Sequence, residues 1–160
     1  MNRTIKKENG FTIIEVVLVL AIAALIMLLV FLALPALQRG QRDTQRKNDV
    51  SRLQAAVSNY KARNKGRIPD GQAAWNSFFS TDLRTADDTF ADPTGDDYVP
   101  KLMSNNTAAP AFKDDDPKNM YIYVGARCNG ETVQGNVASN ARKVVIVKPL
   151  EGGGQLCQEA

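Results

Sequence analysis

The stretch Gly10-Phe11-Thr12-Ile13-Ile14-Glu15-Val16-Val17-Leu18-Val19-Leu20 opens a long apolar run, and its reading decides the fold. From Val16 to Leu37 there are 22 residues without a charge, all apolar with Pro35 counted among them. As an α-helix that run is about 33 Å long, enough to cross a bilayer core of about 30 Å. An ordinary secretory signal has an apolar stretch of about 7–15 residues followed by small residues for cleavage. Here the stretch is longer and no A-x-A pattern follows it. Hydropathy alone therefore reads as a single-span anchor.

Glu15 does not fit a plain anchor. It stands four residues after Phe11, inside an otherwise apolar run, and no basic residue lies between Phe11 and Gln38. A carboxylate is expensive in hydrocarbon and usually has a partner there. A cut between Gly10 and Phe11 would create a cationic amine one helical turn from Glu15, or beside the Glu15 of a neighbouring chain. A buried acid awaiting a neighbour's amine is a physical basis for docking.

The string from Gly10 to Val16 follows a short leader bearing Arg3, Lys6 and Lys7 and precedes a long apolar helix. In this it resembles the class III signal peptide of type IV pilins and pseudopilins. The resemblance covers residues 1 to about 69 and is architectural beyond that. It implies that a membrane prepilin peptidase cuts between Gly10 and Phe11 and methylates the new N-terminus at Phe11. It implies that Glu15 is the assembly carboxylate that guides each subunit into a filament. The partners it implies are further copies of the chain, the prepilin peptidase, the pilus assembly machinery, and the membrane before assembly. The family's helix-loosening proline would fall at Leu32; this chain has Pro35 about one turn later. An interior proline removes a hydrogen bond and weakens its turn, so Pro35 is the expected helix break.

The flanking charges pull the other way. Arg39, Arg42, Arg46, Lys47 and Arg52 crowd the far end of the span, and the positive-inside rule would place that end in the cytoplasm. The motif is the more specific signal. It puts the leader in the cytoplasm, in a single-pass membrane precursor that later joins an extracellular filament.

Beyond the span the helical pattern continues. Val50, Leu53, Val57 and Tyr60 recur at spacings of three and four, one apolar stripe with Arg and Lys on the other faces. Gly66 and Pro69 end it. Asp70 is placed to cap a second helix over residues 72–83 that would bury Trp75, Phe78 and Phe79. Residues 84–119 read as loop. Residues 121–128 and 143–150 read as strands joined as in a wide hairpin. The expected fold class is α+β: a long N-terminal helix, half span and half amphipathic, carrying a small antiparallel β-sheet head in a pilin-like lollipop. The expected boundaries are leader 1–10, span or filament core 11–37, amphipathic half 38–66 and head 67–160.

Composition narrows the chemistry. The chain has no histidine, which removes the commonest general base and zinc ligand, and no nucleophile–base pair can be named. The reading is therefore not an enzyme, with no cofactor and no metal. Asp92, Asp96, Asp97 and Asp114 to Asp116 could hold calcium, but consecutive carboxylates point apart and no calcium-loop spacing is matched. They read as solvated acidic loops. Charge is polarised: residues 39–67 hold nine basic and two acidic residues, and residues 68–117 hold three basic and ten acidic. The blocks are expected to meet within a subunit or between copies. The basic block has Tyr60 as its single aromatic, which argues against nucleic-acid binding through this helix segment. Cys128 and Cys157 are expected to form a disulfide in an exported head, two separate buried thiols being the alternative.

The function expected is a structural subunit of a type IV pilus filament serving adhesion, motility or DNA uptake. A pseudopilin of a type II secretion or competence system is the first alternative. A single-span anchored binding protein that does not polymerise is the second.

Overall fold

A computed structural model describes residues 10–84, 89–104, 108–109, 111–112, 116–135 and 142–160. The chain separates into two units, Met1–Gln38 and Arg39–Ala160. Helix α1 (Ile13–Arg63) runs through both. Within the first unit its residues are exposed from Ile13 to Gln38. The helix continues without interruption through Pro35 and Gly40.

In the second unit α1 turns amphipathic, and the stripe read from the sequence is the buried one. Val50, Leu53 and Val57 are fully buried, with Ala56 and Tyr60 packed at the margin. The helix stops where glycine allows it. Lys65 and Gly66 take left-handed φ values of 54° and 76°, and the Gly66 N–H donates to the Lys61 carbonyl at 2.8 Å. This 6→1 bond satisfies a carbonyl that the ending helix would leave open.

Helix α2 (Gly71–Phe78) follows and passes into a π-helical turn, Phe79–Leu83. Trp75, Phe78 and Phe79 are buried, as the spacing predicts, and Leu83 is buried with them. Asp70 holds the N-cap position, yet its side chain makes no capping bond. Strands β1 (Val99–Met103), β2 (Asn119–Val124), β5 (Val144–Pro149) and β6 (Gln155–Glu159) form one sheet in the order β1-β2-β5-β6. Between them in sequence, β3 (Arg127–Asn129) and β4 (Thr132–Gln134) pair as a small hairpin.

The expected α+β head is present, but its sheet is mixed rather than wholly antiparallel. β2 pairs β5 antiparallel, as the wide hairpin requires, and β5 pairs β6 antiparallel. β1, from the stretch read as loop, pairs β2 in parallel, with Val99 opposite Asn119 and Met103 opposite Tyr123. Parallel neighbours need a connection of a dozen or more residues, which residues 104–118 supply. Val99 donates to the Lys118 carbonyl at 2.9 Å, so Val99, Lys101 and Met103 face β2 and Pro100 faces outward. The missing proline N–H thus falls where no ladder bond is needed.

The two central strands are buried on both faces. Met120, Ile122, Val144 and Ile146 join the α1 stripe, Trp75, Phe78, Phe79, Phe90 and Tyr98 in one core. Their alternate neighbours Tyr121, Tyr123, Val145 and Val147 form a second cluster, with Cys128, Val133 and Cys157 packed against it. The period of two in β-strands makes this division.

Candidate assembly site

The N-terminal motif begins outside regular structure. Gly10 and Phe11 precede the helix, and Phe11 is 89% exposed. Thr12 is the residue before α1 begins, and it meets Glu15 three residues on. The Thr12 N–H donates to Glu15 Oε2 at 2.8 Å, and the Thr12 hydroxyl donates to the same oxygen at 2.8 Å. The Glu15 N–H returns a bond to Thr12 Oγ1 at 3.4 Å. This is a capping box: threonine at the helix start, glutamate at the third helical position, each satisfying an amide the helix leaves open. A carboxylate there also suits the positive end of the helix dipole.

The structure thus brings Glu15 onto Thr12, next in the chain to Phe11. Among the described residues no hydrogen bond links Glu15 to the Phe11 amide. Thr12 was not singled out by the charge argument, although the T-x-x-E pattern at 12–15 signals it in the sequence. From Val16 to Leu37 follows the exposed apolar surface. None of that surface is covered by the chain's own residues.

The second unit holds a charged assembly of the opposite kind. Arg46 is fully buried, and its guanidinium forks onto Asp92, Nε to Oδ2 at 2.8 Å and Nη2 to Oδ1 at 2.9 Å. Its remaining nitrogen reaches Asp43 at 3.0 Å and Glu151 at 3.4 Å. Arg42 clamps Glu151 with two bonds of 2.7 and 2.5 Å. Asp43 accepts the backbone N–H groups of Glu151 and Gly152 at 2.9 and 2.7 Å. Lys148, 1% exposed, donates to the Pro117 and Asn119 carbonyls and lies 3.8 Å from Asp92. Tyr98 donates to Asp49 at 3.0 Å. These bonds tie the β5–β6 turn and the Asp92 loop to one face of α1.

The paired charges depend on one another. Burial pushes the Asp92 carboxyl up, but hydrogen bonds from Arg46 and Thr94 more than reverse this and hold it below the usual carboxylate range. Glu151 is drawn down to about 2, chiefly by the hydrogen bonds from Arg42, against the effect of burial. Arg46–Asp92 and Arg63–Asp82 join the basic and acidic blocks within the head itself.

Cys128 on β3 and Cys157 on β6 form a disulfide. It fastens the small hairpin to the main sheet. Of the aspartates weighed for calcium, Asp92, Asp97 and Asp116 are ion-paired with Arg46, Arg84 and Lys118. Asp114 and Asp115 lie outside the described residues.

Comparisons with curated proteins and with solved structures return no significant match. Residues 5–31, the stretch that carries Gly10, Phe11, the Thr12–Glu15 box and the exposed apolar surface, match the prokaryotic N-terminal methylation motif. That motif is the class III signal peptide of type IV pilins and pseudopilins, and it supports a pilin- or pseudopilin-like prepilin.

Proposed function

We propose that this chain is a structural filament subunit, cut between Gly10 and Phe11, methylated on the Phe11 amine, and polymerised through the first half of α1. Before the cut it is a single-pass membrane protein with its leader in the cytoplasm. The observation that carries the reading is the position of Glu15: one acid, fifth from the proposed new terminus, at the head of a helix whose next 22 residues carry no charge.

The physics of assembly follows from that placement. Lipid tails are as apolar as leucine, so the hydrophobic effect does not by itself favour a filament over the bilayer. Packing between helices and relief of a costly polar group must decide. In the uncut chain the Glu15 carboxylate is held by its own Thr12. Cutting after Gly10 puts an ammonium on Phe11, beside the amide that already holds Glu15. A neighbouring subunit that brings its ammonium to Glu15 completes the pair. Pro35 would supply the weak turn should this helix loosen on packing, since a proline at that position cannot donate to its own helix.

Glu15→Ala is the test. Insertion and leader removal should continue, while the variant fails to polymerise and is under-incorporated in mixtures with the natural chain. Normal filament yield from Glu15→Ala would overturn the assembly role. A pilus and a pseudopilus separate by phenotype. Loss of long surface filaments on gene deletion marks a pilin; loss of secretion or DNA uptake without such filaments marks a pseudopilin.

A further inference from the structure

A cleft of about 680 Å³ opens in the head where the loop joining α1 to α2 meets the last residues of β1 and β2. We infer that this cleft binds a small monoanionic carboxylate with an apolar body, its carboxylate held by Arg67 and Arg142. The inference does not rest on the filament reading above. Small-ligand sites have volumes of about 300–1,000 Å³, with a mostly apolar lining and a few polar groups that fix the ligand's orientation. This cleft has that composition, and three observations on different elements point to the ligand.

The first is charge. Arg67, Asp70 and Arg142 line the cleft, and among the described residues neither arginine has an ion-pair partner. This sets them apart from Arg42, Arg46 and Arg63, whose carboxylates are supplied by the head. The Arg142 guanidinium reaches the helix exit: a Cβ added to Gly66, next in the chain to Arg67, would lie 3.6 Å from its Nη1. Two cations against the one carboxylate of Asp70 leave the lining positive by a single charge. That balance suits a monoanion, and a planar carboxylate can accept two parallel bonds from one guanidinium.

The second is the helix start. α2 opens at Gly71 in the same cleft, and the Asp70 side chain at its N-cap makes no capping bond. Among the described residues the Gly71 N–H has no acceptor. An open amide at the positive end of a helix adds to the attraction for an anion.

The third is the wall. Trp75 lines the cleft and is fully buried, and among the described residues its indole N–H has no acceptor. An indole N–H buried without an acceptor is uncommon in a finished core, and a ligand oxygen seated against this wall would supply one. Ile68, Pro69, Met103 and Val124 make the rest of the wall apolar, so a ligand with an apolar body gains burial there that a bare inorganic anion does not.

Trp75 is the only tryptophan in the chain, so the cleft carries its own reporter. The full chain in micelles of a non-ionic detergent would be titrated with phenylacetate while Trp75 emission is followed. The expected result is a saturable change that weakens with added salt and is absent with the neutral phenylacetamide. Arg67→Gln with Arg142→Gln, at two exposed positions, should lower the affinity at least about tenfold and leave the thermal midpoint of the head where it is. Asp70→Asn, which removes the one opposing charge, should tighten binding several-fold. No saturable change with phenylacetate would overturn the inference. So would phenylacetamide binding as tightly as phenylacetate, an affinity unchanged in the double variant, or inorganic phosphate binding more tightly than phenylacetate.

Discussion

Between Val16 and Leu37, α1 carries no charge, and every residue is exposed. Between Arg39 and Arg63 the same helix carries charges on most turns, and there Val50, Leu53, Val57 and even Arg46 are buried. The contrast reverses the rule for a water-soluble helix, in which the most apolar half should be the covered one. It teaches that burial in an isolated chain reports only on partners the chain itself supplies. The second half has a sheet to pack on and carboxylates to pair with. The first half has neither, and its surface suits hydrocarbon or other copies of itself.

The contrast also bears on topology. The arginines beyond the span argue by count for a cytoplasmic head. Arg42 and Arg46 are taken up by Glu151, Asp43 and Asp92 of the folded head, so much of that positive charge is internal structure rather than a free cationic flank.

The largest effect that would break the comparison is at Arg46. Arg46→Ala leaves Asp92 buried without its main partner and should cost about 3–5 kcal/mol of head stability. Thermal unfolding of the detergent-solubilised protein, followed by near-ultraviolet circular dichroism, reads this directly. Leader removal should be unaffected. A loss below about 1 kcal/mol would mean that the network contributes little to the fold of the second unit.

Reducing the Cys128–Cys157 bond comes next. It closes a loop with a sequence separation of 29, and a loop of that size is worth about 3.6 kcal/mol in the chain-entropy account. Cys128→Ser with Cys157→Ser should lower the unfolding midpoint while leaving the exposed half of α1 helical by far-ultraviolet circular dichroism.

Acid should weaken the folded head. Glu151 sits lower in the folded head than its ordinary 4.5, at about 2. A carboxyl held down by folding adds stability above its unfolded value and loses it as pH falls through the folded one. Head stability should therefore decline between about pH 4.5 and 2, and Glu151→Gln should flatten that decline. An unchanged pH profile in Glu151→Gln would remove the Arg42–Glu151 clamp from the account.

The smallest effect sharpens the boundary at the other end. Thr12→Ala removes the cap and should cost about 1 kcal/mol at the first turn of α1. Amide hydrogen exchange should quicken at Ile13 to Glu15, and the unfolding midpoint of the head should stay where it is.

Periodicity made the long helix, its buried stripe and the β2–β5 pair legible, because each carries many residues of one pattern. β1 was not legible. Val99-Pro100-Lys101-Leu102-Met103 is short, holds a proline, and sits on an edge where packing asks little of it. The Arg46–Asp92 fork was out of reach because 46 residues separate its partners, and only the fold brings them together. At the N-terminus, Gly10, Phe11 and Glu15 were readable as a motif, and Thr12 was readable as a cap. The helix break expected at Pro35 does not show in the single chain, where α1 continues through it.

The central claim concerns one bond, and intact-mass and N-terminal fragment analysis of the protein purified from its native host tests it. The account predicts a chain that begins at Phe11 and carries one added methyl group on its amine. A chain that still begins at Met1, or at a residue beyond Phe11, would contradict it.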